Sequence, residues 1–212
     1  MLREATPGDP LRLGVLVSGA GTNLQVLLDT FNAAPREARV VAVASTRAGV
    51  GALDRAAEAG VPHEVFTRAD DRDARLADWL DGHLVELVVC AGWMGILTPA
   101  FLDHHVAINL HPALLPSFPG AHAVRDALEH GVRITGVTVH LVDGGVDSGP
   151  IILQAAVPVH YDDDAETLAG RLHEAEHRLL PQAISLLAAG KVELAGRVAH
   201  VLDVGEMDVE DS

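Results

Sequence analysis

Residues 11–23 read Leu-Arg-Leu-Gly-Val-Leu-Val-Ser-Gly-Ala-Gly-Thr-Asn, and this stretch decides the fold. The apolar run from Leu11 to Val17 is typical of a buried strand. The glycine-containing segment after it predicts a tight turn. Thr22 or Asn23 can then cap a helix, because apolar side chains recur on one stripe from Leu24 to Phe31. The stretch therefore predicts a strand, a turn and a helix in succession.

The same alternation of apolar runs and amphipathic segments continues along the chain. Further strands are predicted at residues 40–45, 63–66, 87–91 and 106–110. Further helices are predicted at residues 50–59, 71–80 and 121–129. Strands separated by helices of about ten residues indicate parallel βαβ units.

The last third of the chain predicts a different arrangement. Residues 134–142 alternate apolar side chains with threonine and histidine, which predicts a half-buried strand, and residues 151–159 predict an antiparallel partner for it. A long amphipathic helix is expected at residues 165–188, followed by one or two short strands in residues 192–202. We therefore expect an α/β fold: a Rossmann-like, mostly parallel twisted sheet flanked by helices, with an antiparallel extension toward the C-terminus.

The composition limits the classes of function. Hydrophobic residues make up 49% of the 212 residues, enough for a sizeable core, and the formal net charge is −15. A nucleic-acid surface needs clustered lysine and arginine, so nucleic acid is not an expected partner. The single cysteine, Cys90, excludes an internal disulfide and a CxxC metal site. No apolar run approaches the roughly 20 residues of a membrane span, so we expect no membrane contact and a cytoplasmic location.

A proline-rich segment follows the predicted strand at residues 106–110. Residues 109–120 read Asn-Leu-His-Pro-Ala-Leu-Leu-Pro-Ser-Phe-Pro-Gly, and the prolines exclude a helix and a central strand. Asn109 and His111 therefore lie where the strand ends, with both side chains on one face because strands have period two. An amide and an imidazole at such a position can stabilise an oxyanion and carry a proton. The alternative is a capping asparagine and a surface histidine.

The turn from Ser18 to Asn23 can bind a phosphate through free N–H groups at the start of a helix. It is not a P-loop, because the Lys-Ser/Thr ending is missing, and Leu24 replaces the third glycine of a dinucleotide fingerprint. The second strand ends in Ser45-Thr46-Arg47 without an acid for a ribose hydroxyl, which disfavours NAD and leaves NADP bound by Arg47 as an alternative. We expect a single phosphate; a tight turn without a ligand is the other alternative.

Asp147 lies in a second glycine-containing loop, where the backbone can approach a ligand closely. If it packs beside His111, its charge favours the imidazolium. We expect the two loops to meet, because loops at the carboxyl ends of strands in an open parallel sheet converge on one crevice. The alternative is an ordinary aspartate in a surface turn.

Residues 173–177 read His-Glu-Ala-Glu-His and match the short H-E-x-x-H zinc pattern on a helix. No third ligand is indicated nearby, and chance matches are common in a chain with 12 histidines and 30 acidic residues. A helix turn that faces solvent or substrate is the favoured interpretation.

Four segments, together with Glu176 and His177 in the long helix, carry a resemblance to a known family. The segments are Ser18 to Asn23, Ala91 to Met94, Asn109 to Gly120, and Asp143 to Ile152. Their pattern and order resemble the phosphoribosylglycinamide formyltransferase family of the formyltransferase superfamily, over nearly the whole chain. Asn-x-His-Pro-x-Leu-Leu-Pro and Asp-Ser-Gly-Pro-Ile are specific to the superfamily, and the first loop indicates this branch. The branches that make formylmethionyl-tRNA or hydrolyse formyltetrahydrofolate carry an added domain that this sequence does not display.

The resemblance implies a reaction and an organisation of the chain. The expected reaction transfers the formyl group of 10-formyltetrahydrofolate, as co-substrate, to the amino group of 5-phosphoribosylglycinamide in de novo purine biosynthesis. The expected product is 5-phosphoribosyl-N-formylglycinamide, no metal is required, and the protein is expected as a monomer or homodimer. Residues 11–202 form a single domain, with a phosphate-binding half at 11–108 and a folate-binding and catalytic half at 109–202. A loose tail at residues 1–10 and an acidic tail at 203–212 are expected to flank it.

The resemblance also implies which residues form the site. The catalytic residues would be Asn109, His111 and Asp147. The residues that hold phosphoribosylglycinamide would be Gly21, Thr22, Asn23 and Glu176. The residues that hold the folate would be Arg72, Met94, Gly95, Ile96, Leu97, Asn109, Asp143, Gly144, Gly145, Val146 and Asp147. Gly95 departs from the family, which often has arginine there, so a positive charge near the folate glutamate tail would be missing.

Other functions stay open on the residues alone. An NADP-linked oxidoreductase would rest on Gly19, Gly21 and Arg47. A nucleotide-binding module without catalysis would use the same turn. A related formyltransferase or hydrolase that acts on 10-formyltetrahydrofolate is a further alternative.

Overall fold

The computed structural model describes residues 2–202, which form a mixed sheet with helices on both faces and a small hairpin. The strands are β1 (Leu11–Val17), β2 (Ala38–Ser45), β3 (His63–Val65), β4 (Leu87–Cys90), β5 (Ala107–His111), β6 (Ile134–Leu141), β7 (Ile151–Pro158), β8 (Val192–Ala195) and β9 (Val198–Val201). The helices are α1 (Thr22–Phe31), α2 (Gly51–Glu58), α3 (Arg72–Gly82), α4 (Pro99–Leu102), α5 (Ala123–His130) and α6 (Ala165–Ala188). The predicted strands and helices are all present, together with the short helix α4 before His104 and His105.

The large sheet has seven strands in the order β3-β2-β1-β4-β5-β6-β7. Its first part is parallel from β3 to β5. β6 and β7 are antiparallel to their neighbours. This confirms the expected α/β class, the mostly parallel Rossmann-like sheet and the antiparallel extension.

Alternating side chains of the strands form two apolar layers, one on each face of the sheet. In β1, Leu13 and Val15 join the layer that contains buried residues of α1 and α6. Leu16, which points the other way, joins the layer with Leu76 of α3 and Phe101 of α4. No helix within residues 2–202 combines the length and the apolarity that crossing a membrane requires.

Strand β6 differs from the expected half-buried strand, because its polar face is buried as well. Thr138 and His140 are both almost completely buried. β6 is an interior strand between β5 and β7, and its polar side chains lie opposite His111 and Asn109 of β5 in the antiparallel register. The expectation was wrong because polar residues in a strand need not face solvent when another polar strand and loops cover them.

Residues 2–10 also differ from the loose tail that was expected, because they are held by specific contacts. Arg3 donates hydrogen bonds to both carboxylate oxygens of Glu86, at 2.7 and 3.1 Å, and the Ala5 N–H donates to the carbonyl oxygen of Ala188 at 2.8 Å. Leu2 and Ala5 pack against the main apolar layer. The segment is therefore anchored to the residue before β4 and to the last residue of α6. The acidic tail expected at residues 203–212 lies outside the described residues.

Candidate active site

The glycine turn after β1 has a geometry that only glycine satisfies. Gly21 has φ 76° and ψ 32°, in the left-handed region, and a Cβ atom there would lie 2.6 Å from Cβ of Ala52. Gly21 is the N-cap of α1, so the prediction of Thr22 or Asn23 as the cap was wrong; both lie in the first helical turn. The cap position makes no side-chain hydrogen bond, and the first turn contains no acidic residue. Its N–H groups are therefore suited to an anion.

Asn23 joins this turn to the long helix α6. Its Nδ2 atom donates to Oε2 of Glu176 at 2.8 Å, and Glu176 is only 6% exposed. Burial raises the pKa of Glu176, and the hydrogen bond from Asn23 and the charges of His173 and His111 oppose that rise. The Oδ1 atom of Asn23 is buried and has no partner among the described residues. An unpaired acceptor beside a desolvated carboxylate favours a ligand with hydroxyl or amine donors at this position.

Asp147 connects the residues expected to be catalytic. Its Oδ1 atom accepts a hydrogen bond from Nδ2 of Asn109 at 3.2 Å, and its Oδ2 atom lies 3.4 Å from Nδ1 of His111. The Gly120 N–H donates to the same Oδ2 at 2.7 Å. Asn109 and His111 therefore share one carboxylate, as required if the three act together.

His140 also contacts this carboxylate, and the sequence analysis did not identify it. Its Nε2 atom lies 3.6 Å from Oδ1 of Asp147 and 3.1 Å from Nδ2 of Asn109, while its Nδ1 donates to the carbonyl oxygen of Leu141 at 2.8 Å. The pKa of Asp147 is lowered to about 2, first by the neighbouring His140 imidazole and then by the Gly120 N–H and the charge of His111, against the opposing effect of burial. The available signal was a histidine among the polar positions of the alternating strand predicted at residues 134–142.

The route by which Asp147 reaches His111 differs from the expected one. The two loops do not share the carboxyl edge of parallel strands, because β6 is antiparallel to β5 and Leu141 lies opposite Ile108, near the start of β5. The Asp147 loop leaves the sheet at that end and folds back across the strand face. Asp147 itself has φ 49°, a left-handed conformation that costs a non-glycine residue about 1–3 kcal/mol. The contacts to its carboxylate offset that strain.

The hydrogen bonds indicate which protonation state the site accommodates. His111 Nε2 donates to the carbonyl oxygen of Phe118 at 2.8 Å, and its Nδ1 faces the carboxylate of Asp147. Both neighbours are acceptors, so an imidazolium with a proton on each nitrogen fits best. Nδ2 of Asn109 donates to Asp147 and lies 3.1 Å from Nε2 of His140. The cluster is thus a set of donors organised around one negative charge.

Thr138 supports the proline-rich loop that follows His111. Its buried hydroxyl donates to the carbonyl oxygen of Ala113 at 2.6 Å and accepts from the Leu115 N–H at 3.2 Å. Gln154 of β7 donates to both the Leu115 carbonyl oxygen and the same hydroxyl. The loop is therefore fixed to the antiparallel strands, which holds Phe118 and Gly120 next to His111 and Asp147.

The residues expected to bind folate divide into exposed and buried sets. Met94, Ile96 and Val146 are exposed by 68%, 76% and 60%, which is unusual for apolar side chains beside a polar cluster. Leu97 is buried in the second apolar layer instead, next to α4. The exposed apolar side chains are suited to an aromatic ligand, whereas Leu97 anchors the loop.

In the second loop that is expected to bind folate, Asp143 stabilises the turn. Its Oδ1 atom accepts from the Gly145 N–H at 3.0 Å and from the Ser148 hydroxyl at 2.6 Å. The hydrogen bond from Ser148 is the main cause of the lowered pKa of Asp143. Gly144 and Gly145 are exposed, and a Cβ on Gly145 would lie 2.1 Å from the Ser148 hydroxyl oxygen.

Two alternative functions depend on the histidines of the zinc pattern and on Arg47. His173 and His177 of the zinc pattern stack with ring centroids 6.4 Å apart, while Glu174 is exposed. Over residues 2–202 there is no group of three or more histidine, cysteine or acidic side chains that could hold a metal ion. Arg47 of the NADP alternative is exposed beyond the end of β2, where its backbone is hydrogen-bonded to the Ser45 hydroxyl.

Comparison with known proteins places this site in a family. The family model described as formyl transferase matches residues 11–184. The phosphoribosylglycinamide formyltransferase of Mycobacterium tuberculosis H37Rv is 47% identical over 202 residues, which cover 91% of this chain and 92% of that protein. The trifunctional purine biosynthetic protein adenosine-3 of Drosophila pseudoobscura is 44% identical over 210 residues, 95% of this chain but 15% of that protein. The chain thus spans only a small part of the trifunctional relatives.

Solved structures agree with the sequence comparison. Glycinamide ribonucleotide transformylase 1 from Symbiobacterium toebii has a TM-score of 0.87 at 45% identity, over 92% of this chain and 95% of that one. Phosphoribosylglycinamide formyltransferase from Anaplasma phagocytophilum has a TM-score of 0.87 at 40% identity, over 93% of this chain and 97% of that one. The family match over most of the chain, the sequence identity and the shared fold lead to one conclusion: this chain belongs to the formyl transferase family.

Proposed function

We propose that the protein transfers the formyl group of 10-formyltetrahydrofolate to the amino group of 5-phosphoribosylglycinamide, in de novo purine biosynthesis. The observation that carries the proposal is the carboxylate of Asp147 shared by Asn109 and His111. The relatives named phosphoribosylglycinamide formyltransferase support the choice of substrate. The products are 5-phosphoribosyl-N-formylglycinamide and tetrahydrofolate.

The amine substrate is assigned to the turn between β1 and α1. Gly21, Thr22 and Asn23 supply the N–H groups for its phosphate, because the start of α1 is uncapped. Glu176 accepts hydrogen bonds from its ribose or glycinamide donors. The buried, unpaired Oδ1 of Asn23 supports a donor-bearing ligand at the same place.

The folate is assigned to the two loops beside the polar cluster. Asn109 and Asp147 contribute from the cluster itself. The other proposed folate-binding residues are Arg72, Met94, Gly95, Ile96, Leu97, Asp143, Gly144, Gly145 and Val146. Exposed apolar side chains in both loops support a flat, largely apolar ligand there.

The proposed chemistry follows from the donors around Asp147. The neutral amine attacks the formyl carbon, a new C–N bond forms, and negative charge develops on the formyl oxygen. One N–H of Asn109 turns from Asp147 to that oxygen, and the His111 imidazolium stabilises the same charge. Asp147 keeps His111 protonated and relays a proton from the amine nitrogen to N10 of the folate, as the C–N10 bond breaks.

The test is a spectroscopic assay of folate deformylation with each substrate omitted in turn. We expect deformylated folate only when both 10-formyltetrahydrofolate and the ribonucleotide are present. His111→Gln should remove nearly all of this signal, whereas His104→Gln, at an exposed histidine after α4, should retain it. Release of deformylated folate without the amine would instead establish a hydrolase.

A cytoplasmic location and a monomeric or homodimeric state belong to the same proposal. Sedimentation equilibrium across a range of protein concentrations tests the second part. A mass corresponding to neither one nor two chains would contradict it.

A further inference from the structure

The segment from Trp93 to Thr98 is held at several points by groups that the proposed chemistry does not use. The Met94 N–H donates to the Ser18 hydroxyl at 3.0 Å, near the start of the segment. The Thr98 N–H donates to Oδ2 of Asp73 at 2.7 Å, at its end. Arg72 binds the carbonyl oxygen of Ile96 between them. Contacts from the turn after β1 and from α3 thus define the shape of this segment.

One buried carboxylate organises two of these contacts. Asp73 has 10% of its side chain exposed, and its Oδ1 atom accepts from Nε of Arg72 at 2.6 Å. Its other oxygen accepts from Thr98, which is the N-cap of α4. Asp73 therefore orients the guanidinium and fixes the end of the segment at the same time. A buried arginine without this partner would carry an uncompensated charge and would be displaced.

Gly95 leaves the space that this arrangement needs. A Cβ atom at Gly95 would lie 2.7 Å from Nη1 of Arg72 and 2.8 Å from Nε1 of Trp93. The guanidinium also lies over the Trp93 ring, 5.7 Å from its centroid. A side chain at position 95 would move Arg72 or Trp93 and release the Ile96 carbonyl oxygen.

We propose that Asp73 is a positioning residue for the formyl donor: through Arg72 and Thr98 it holds the Met94–Leu97 segment in the shape that receives the folate. This rests on the proposed function, in which that segment binds the folate. Nε of Arg72 donates to Asp73 and Nη2 donates to the Ile96 carbonyl oxygen, so Arg72 links Asp73 to the middle of the segment. Asp73 touches neither substrate.

The test compares Asp73→Leu and Asp73→Asn with Asp78→Asn, an exposed aspartate on the same helix. Asp73→Leu should raise KM for 10-formyltetrahydrofolate by about tenfold or more, since it removes hydrogen bonds to a charged group. Asp73→Asn retains an acceptor for Thr98 and should lie between Asp73→Leu and the wild type. KM for the ribonucleotide and kcat at saturating folate should stay within about twofold, because Asp73 is remote from the chemistry.

Tryptophan fluorescence separates positioning from a purely structural role. The chain has two tryptophans, so Trp79→Phe leaves Trp93 as the sole reporter in the segment. In that background Asp73→Leu should make Trp93 more accessible to acrylamide while the thermal transition stays cooperative. An unchanged KM for folate would overturn the proposal. Changes in both KM values and in kcat that are proportional to a fall in Tm would overturn it as well, because they would indicate general destabilisation. If Asp73→Leu does not fold, Asp73→Asn decides on the same criteria.

Failure of the proposed function has a different signature. In that case the wild type transfers no formyl group, and folate binding is read directly from quenching of Trp93. Weaker binding by Asp73→Asn than by Asp78→Asn then supports positioning by Asp73, and equal binding refutes it.

Discussion

Two buried carboxylates in the candidate site differ in the direction in which their pKa values move. Asp147 has a lowered pKa, about 2, because a histidine, a backbone N–H and a positive charge surround it. Glu176 has a raised pKa, because burial outweighs the hydrogen bond from Asn23 and the charges of nearby histidines. Burial is the largest influence on Glu176, whereas the neighbouring His140 is the largest influence on Asp147, so both the depth of burial and the number of donors separate the two carboxylates.

The difference indicates two kinds of task. Asp147 has its partners in place before any substrate arrives, which suits a group that holds another residue protonated. Glu176 has too few hydrogen-bond donors in the protein alone, which suits a carboxylate that binds donors of a ligand. The proposed catalytic and substrate-binding roles follow this division.

The largest expected effect is that of Asp147→Asn on turnover. Removing the charge leaves His111 without its counterion, so kcat should fall by about 10³-fold, as for loss of a major electrostatic group. Asparagine tolerates the left-handed backbone at position 147, so the fold should survive. Steady-state kinetics and far-UV circular dichroism measure the two parts.

The matched control is Asp162→Asn, which makes the same change at an exposed aspartate. Turnover of this variant should equal that of the wild type. Near-normal turnover by Asp147→Asn would show that Asp147 has no part in the mechanism. Its lowered pKa would then not indicate a task different from that of Glu176.

The next largest effect is expected for His140→Leu. His140 makes the largest contribution to the lowered pKa of Asp147, so its loss should move that pKa toward the ordinary 3.8. Loss of a polar contact to a charged group should lower kcat by about 30-fold. NMR titration of the Asp147 carboxyl and steady-state kinetics provide the measurements, with His104→Leu as the control. An unchanged Asp147 titration would show that the other donors suffice.

His140 also marks the limit of what the sequence could predict. Asn109, His111 and Asp147 were identifiable, because strand periodicity and loop residues expose their chemistry locally. His140 was not identifiable, because it occupies a polar position in an alternating strand. Only the antiparallel register places it opposite Asn109 and so in the candidate site. The direction of a strand within a mixed sheet is a tertiary property.

The same limit explains the other errors. Gly21, the helix cap, lies too close to Ala52 of α2 for a side chain, and no local pattern reveals that approach. The anchoring of Arg3 depends on Glu86, which is 83 residues away. The strands and helices themselves were predictable, because the periodicity of apolar residues can be recognised within each segment. That periodicity arises because the strands and helices bury apolar side chains on the two faces of the sheet.

A smaller effect is expected for Glu176→Gln, which keeps an acceptor for Asn23 and removes the charge. KM for the ribonucleotide should rise by about tenfold, since a hydrogen bond to a charged acceptor is replaced by a neutral one. kcat at saturation should change little. Glu174→Gln, on the exposed side of α6, is the control. A loss of kcat as large as the expected rise in KM would instead assign Glu176 to the chemical step.

The same variant should be more stable than the wild type at high pH. Because the pKa of Glu176 is raised above 4.5 in the folded protein, its ionisation disfavours folding once the pH exceeds the unfolded value. The Tm of Glu176→Gln minus that of the wild type should therefore grow as the pH rises from 4.5 through the folded pKa. A difference that is constant with pH would contradict a desolvated charge at this position.

The smallest effect is the contribution of Asp147 to stability in acid. Its folded pKa, about 2, lies below the ordinary 3.8, so its stabilising contribution is present above pH 3.8 and disappears as the pH falls through 2. The Tm advantage of the wild type over Asp147→Asn should thus shrink between those values, in the opposite sense to the Glu176 comparison. Calorimetry of both pairs in one buffer series measures the two slopes, and slopes of the same sign would show that burial, rather than the supply of donors, governs both carboxylates.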